Sequence, residues 1–218
     1  MPPLRKGPPT LPVVARGTQS GRTDTWRCVM ERIDLLHFIH KALRHAMLTT
    51  NIESGRADYA DDDDTKRVDE AWTGLCENLG HHAQHEDEII FPLLDVRAPG
   101  ETDKLVHDHE VIHRLEAGMN DLMDRLSGES DPDVRRLLGR EFHRSMQRFT
   151  AECLSHFDDE ERHLMPRLWA VYDDAALEAA FGRIMAMIEP EERAYATAHM
   201  QEALDPVELE AVRQRTGG

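Results

Sequence analysis

The chain has 218 residues, with 26 Lys+Arg against 42 Asp+Glu, a net charge of -16, and 13 histidines. That length supports one well-cored domain with extensions. Even with every histidine protonated the chain stays net negative, which disfavours phosphate backbones and anionic membrane surfaces as partners.

No apolar run approaches the roughly 20 residues needed to span a bilayer. The patch from Leu11 to Ala15 is broken by Pro12, and it is shorter than the roughly 7–15 residues of a signal-peptide core. A cytoplasmic protein is expected. Cys28, Cys76 and Cys153 are odd in number and widely spaced, so they predict neither a disulfide framework nor a CxxC metal motif.

Residues 1–25 are rich in Pro, Gly, Thr and Arg, lack apolar periodicity and predict a disordered tail. From Trp26 the pattern is helical. A first helix is expected over about 26–50, with Ile33, Leu36, His40, Leu43 and Met47 on its apolar stripe. The run Asp61-Asp62-Asp63-Asp64 follows and is read as a solvated loop. A second helix is expected over about 66–96, with Leu75, Leu79, His82, Glu86, Ile89 and Leu93 on one face and Ala98-Pro99-Gly100 as its stop.

A third helix is expected over about 101–127, with Leu105, His109, Ile112, Met119, Met123 and Leu126 on its seam. Asp131-Pro132 supplies a cap and first residue for a fourth, over about 132–169. Its seam is Phe142, Met146, Phe149, Cys153, His156, Glu160 and Leu164. Four sustained amphipathic seams predict an all-α, antiparallel up-down four-helix bundle over 26–170. In 171–218, Asp174, Glu189-Pro190 and Asp205-Pro206 open three shorter helices, a C-terminal extension that could pack on the bundle or mediate association. Asp205 and Glu208 have the spacing of a capping box.

The chemistry lies in a repeat. His82-x-x-x-Glu86 and His156-x-x-x-Glu160 sit on predicted core seams, each followed by a proline ten residues after the histidine, Pro92 and Pro166. Residues four apart share a helical face. A carboxylate on an apolar seam costs several kcal/mol, in order of magnitude, unless paired or bound to a cation. His40 adds a donor from the first helix, and His109 with His113 from the third. Imidazole mixed with carboxylate suits iron better than calcium or magnesium. Zinc is chemically possible, but this inventory exceeds the four ligands of one structural zinc. It fits two metals with carboxylates bridging.

Four segments carry a resemblance. They are His40-Lys41-Ala42-Leu43-Arg44, then His82-Ala83-Gln84-His85-Glu86 running into Ile90-Phe91-Pro92-Leu93-Leu94, then Asp108-His109-Glu110, and His156-Phe157-Asp158-Asp159-Glu160 running into Leu164-Met165-Pro166. Over roughly residues 30–170 the chain resembles the hemerythrin-like (HHE cation-binding) family. The resemblance implies a non-haem di-iron site, bridged by Glu86 and Glu160, with His40, His82, His109 and His156 as terminal ligands. It further implies binding of, or reaction with, dioxygen, nitric oxide or hydrogen peroxide. Oxygen carriers of the family place HxxxH on the third helix, which His109 and His113 match. They also place an Asp five residues after the fourth-helix histidine, where this chain has Glu161.

The alternatives are an oxygen- or iron-responsive regulatory module whose C-terminal helices meet a protein partner or a second copy, and a di-iron oxidase acting on an organic substrate. His113 would be a candidate acid or base if it is not a ligand. Glu110-x-x-His113 and Glu160-x-x-His163 also have the spacing of ferritin-like di-iron bundles, although they fall on adjacent helices and leave the duplicated HxxxE-x5-Pro unit unexplained. His81 and His85 lie one residue off the seam and are expected at the boundary, orienting a ligand. His37, His45, His143, His163 and His199 are expected at the surface or as caps, and Cys153 as core filler.

Overall fold

The computed structural model describes residues 32–216. The expected tail, the first turns of the first predicted helix and Cys28 lie outside the described residues. Four long helical arms form an antiparallel bundle, with no strand among the described residues. The first arm is α1, His37–Arg56. The second is α2, Asp62–His85, a π turn over Glu86–Ile90, and α3, Phe91–Arg97. The third is α4, Asp103–Gly128. The fourth is α5, Pro132–Asp159, a π turn over Glu160–Leu164, and α6, Met165–Val171. Three helices follow: α7, Asp174–Met187; α8, Pro190–Ala203; and α9, Pro206–Thr216.

Two boundaries differ from the sequence reading. The first arm begins at His37, because Asp34 turns the chain by accepting from the Leu36 and His37 amides. The aspartate run opens α2 instead of forming a loop. Asp61 caps the Asp64 amide, and Asp62, Asp63 and Asp64 occupy the first turn, where negative charge complements the helix dipole. The other caps follow the expected residues. Asp131 accepts from the amides of Asp133 and Val134. Asp205 and Glu208 close a reciprocal capping box.

The π turns explain the repeated prolines. Proline has no N–H, so Pro92 and Pro166 cannot complete the i→i-4 ladder. The residue before each bonds one step further back, Phe91 N–H to the Glu86 carbonyl and Met165 N–H to the Glu160 carbonyl. Each wide turn therefore starts at a motif glutamate. Such turns recur at functional sites.

Apolar packing forms two cores. One is built around Trp72, Phe142 and Phe149, with Leu43, Leu79, Cys153 and Phe157 at its upper edge. The other contains Leu36, Ile89, Ile90, Leu105 and Leu164, and is completed by Leu177, Ala180 and Ile184 of α7. The extension is thus built into the second core. Along every arm, the motif residues fall between these apolar groups.

Candidate metal centre

Six polar side chains form the layer between the cores: His40, His82, Glu86, His109, His156 and Glu160, all buried. The helical i, i+4 relation brings His82 Nε2 to 3.0 Å from Glu86 Oε1 and His156 Nε2 to 3.3 Å from Glu160 Oε1. Packing of α1 and α4 supplies the other two rings. His40 Nε2 lies 3.0 Å from His82 Nε2 and 3.4 Å from Glu160 Oε2. His109 Nε2 lies 3.0 Å from His156 Nε2 and 3.3 Å from Glu86 Oε2.

The geometry divides into two halves. His40 and His82 meet Glu86 Oε1 and Glu160 Oε2; His109 and His156 meet Glu86 Oε2 and Glu160 Oε1. Each half brings four donor atoms within 4.8 Å of one another, and both glutamates belong to both halves. All four carboxylate oxygens are buried without a hydrogen-bond partner. Such atoms are strongly disfavoured unless something positive lies between them, so the donor set fits cations in number, chemistry and burial.

The outward nitrogens are steered separately. His40 Nδ1 lies 3.0 Å from Glu161, which Arg44 holds at 2.6 Å. His109 Nδ1 lies 3.3 Å from Asp87, whereas His156 Nδ1, 3.7 Å from Asp108, has no hydrogen-bond partner. Anchoring the far nitrogen fixes the ring and leaves Nε2 to face the centre. Phe157 stacks on His40 at 4.2 Å and Phe91 on His109 at 5.4 Å, walling the layer with aromatic carbon.

Electrostatics match a layer short of positive charge. Burial and the neighbouring Glu86 charge push Glu160 up to about 8. Burial alone would lower His40, but the carboxylates of Glu160, Glu161 and Glu86 around it bring it up to about 10. Burial lowers His82, and takes His156 down to about 4, so both stay neutral.

His113 is the one expected site residue that the fold does not bring into the layer. It is exposed and lies 3.5 Å from Glu116, although it lines a small cavity beside His82, Glu86, His109 and His156. At 3.6 residues per turn His113 stands about 40° round α4 from His109, which here is the solvent side. Glu110 and His163 are exposed too, so the ferritin-like spacing has no clustered counterpart. Glu161, five residues after His156, contacts the outer nitrogen of His40 and not the centre. His81 and His85 both approach Glu192 of α8, at 3.7 Å. His45 and His199 pair across α1 and α8, and His143 meets Ser54. Sequence reasoning missed Glu161 and Asp87 as steering groups, because contacts between arms leave no periodic trace.

A helical bundle with two joined His/Glu clusters in its core defines a protein built to hold cations. The chain belongs to the hemerythrin family: the Hemerythrin HHE cation binding domain matches residues 31–168. No significant match was found among curated proteins or solved structures.

Proposed function

We propose that the protein is a non-haem di-iron protein that binds, or reacts with, a small diatomic or peroxide ligand. The observation that carries this reading is the sharing of both buried carboxylates between two imidazole pairs. His40 with His82 would hold one iron, His109 with His156 the other, and Glu86 and Glu160 would bridge them. Nitrogen mixed with oxygen favours iron over calcium or magnesium, and a shared pair of carboxylates favours two ions over one structural zinc.

Bound iron would supply a reversible one-electron change and open positions for a small ligand. The chain's own residues set the conditions. Glu161 and Asp87 hold their histidine rings, while Phe91 and Phe157 keep water from the layer. A cavity of about 20 Å³ beside the layer, lined in part by Ile112, His113, Glu116 and Cys153, has the scale of one small molecule. His113 fits there as a proton donor or acceptor better than as a ligand.

The test is elemental analysis of protein purified without added metal, then anaerobic ferrous loading and exposure to dioxygen, nitric oxide and peroxide. Two irons per chain are expected, with ligand-dependent absorption changes. Glu86→Ala should lose the metal. One tightly held zinc, or no iron uptake after loading, would overturn the reading.

A further inference from the structure

A second cavity, of about 370 Å³, lies between the outer faces of α1 and α2 and the C-terminal helices, within the size range of organic-ligand pockets. Phe38, Ile39 and Leu43 of α1, Phe181 and Ile184 of α7 and Met200 of α8 supply apolar wall. His82 and His85 also line it. His85 is buried and has no hydrogen bond; its nearest charged neighbour is Glu192, at 3.7 Å.

The lining charges are unevenly satisfied. Both carboxylates are engaged: Asp34 accepts two backbone amides, and Glu192 faces His81 and His85. The arginines are satisfied only in part. Arg213 pairs with Glu210, but Arg193 has no carboxylate partner among the described residues. The Arg215 guanidinium lies over the Phe181 ring at 4.2 Å and donates to the Asp34 carbonyl and, at 3.5 Å, to Glu178, but its Nε is buried without an acceptor. In a chain of net charge -16, the buried Arg215 Nε and the exposed, carboxylate-free Arg193 leave donors beside an apolar cavity that an anion from outside can take.

We propose that this cavity binds a small, mostly hydrocarbon carboxylate, its chain against the α1 and α7 walls and its head group on the lining arginines. The apolar wall selects the body of the ligand, and the unspent donors select an anionic end. His82 is the one residue common to this cavity and the six-residue polar layer, so the bound molecule would sit directly outside the proposed metal centre. Binding itself requires no metal, and in this the inference goes beyond the di-iron reading.

The test uses the full chain, with metal content measured on every sample. Fluorescence of anilinonaphthalene sulfonate reports occupancy, decanoate is the competitor and decanol the neutral control. Saturable probe binding is expected, displaced by decanoate at concentrations about tenfold lower than by decanol. Arg193→Glu, an exposed change, should weaken decanoate about tenfold and leave decanol unchanged. Ala196→Trp, which fills the lining, should abolish both; if it fails to fold, Arg193→Glu still decides. Absence of saturable binding, or equal displacement by decanoate and decanol, overturns the proposal. A dimer in sedimentation that Ala196→Trp abolishes would mean that a second copy fills the cavity, and overturns it too. Decanoate binding to a chain that takes up no iron would sink the di-iron reading and leave this one standing.

Discussion

Glu161 and Gly139 show how single residues set the site and its scaffold. Burial alone would raise Glu161, but His40 and Arg44 bring its carboxyl down to about 2, so it is ionised across the neutral range and can hold the His40 ring. Replacing Glu161 with Ala should weaken iron affinity by about 10–100-fold, the usual effect of losing such a partner, while leaving the helical content unchanged. Equal affinity in competition with a chelator would remove its steering role. Gly139 acts on the fold alone. A Cβ there would overlap the Tyr59 ring, which is buried and hydrogen-bonded to the Ser54 carbonyl. Alanine normally favours a helix interior by about 1 kcal/mol over glycine. Here overpacking should win, and Gly139→Ala should destabilise the chain by about 1–3 kcal/mol in denaturant unfolding. A variant as stable as the parent would mean that the Tyr59 ring, in the loop between α1 and α2, yields easily against α5.

Between elements, α9 is tied to α1 by one carboxylate. Glu208 accepts from Lys41 at 2.5 Å and lies 2.9 Å from His37. Burial pushes Glu208 up, but Lys41, His37 and the Asp205 amide outweigh it and bring it down to about 2. A carboxylate held below its ordinary value stabilises above that value and loses the contribution as pH falls toward the lowered one. The α9 amides should therefore lose hydrogen-exchange protection as pH falls from about 4.5 to about 2. Glu208→Gln should lower that protection at neutral pH and flatten the acid dependence; identical profiles would show that the pair is not the latch. The helices themselves were largely legible in the sequence, because seams at 3 and 4 spacing and caps such as Asp131-Pro132 act locally. The HxxxE pairs were legible for the same reason. The start of α2 was misread because an aspartate run has the composition of a loop and the electrostatics of a helix N-terminus. The π turns were encoded in Pro92 and Pro166, but a lost backbone donor shows its effect one residue upstream. His113 lies outside the polar layer because four residues are slightly more than one helical turn, and the about 40° excess sets it on the solvent side of α4. Glu161, Asp87 and the arginine-lined cavity depend on contacts between arms, which no single helix encodes.

On the scale of the whole molecule, the question is how a strongly acidic chain distinguishes its core layer from its surface. A net charge of -16 attracts cations everywhere. Exposed carboxylates are already ionised at pH 7, so cations gathered by them displace no protons. The core differs. Without metal, Glu160 is raised to about 8 and His40 to about 10, so both carry a proton at pH 7. Metal ligation requires both groups deprotonated. Both groups make the metal-free fold less stable as pH rises. Raised His40 stabilises fully below its ordinary value and loses that contribution as pH rises through about 10. Raised Glu160 makes stability fall as pH rises from its ordinary 4.5 to about 8. Filling the layer should therefore release protons, and apparent affinity should rise with pH up to about 8–10. Anaerobic ferrous loading in weakly buffered solution at pH 7 should acidify an indicator dye in proportion to iron bound. Magnesium at the same occupancy should not, and His40→Ala should release less acid. Iron uptake without acid release would place the bound metal on the ionised surface and not among the six buried side chains.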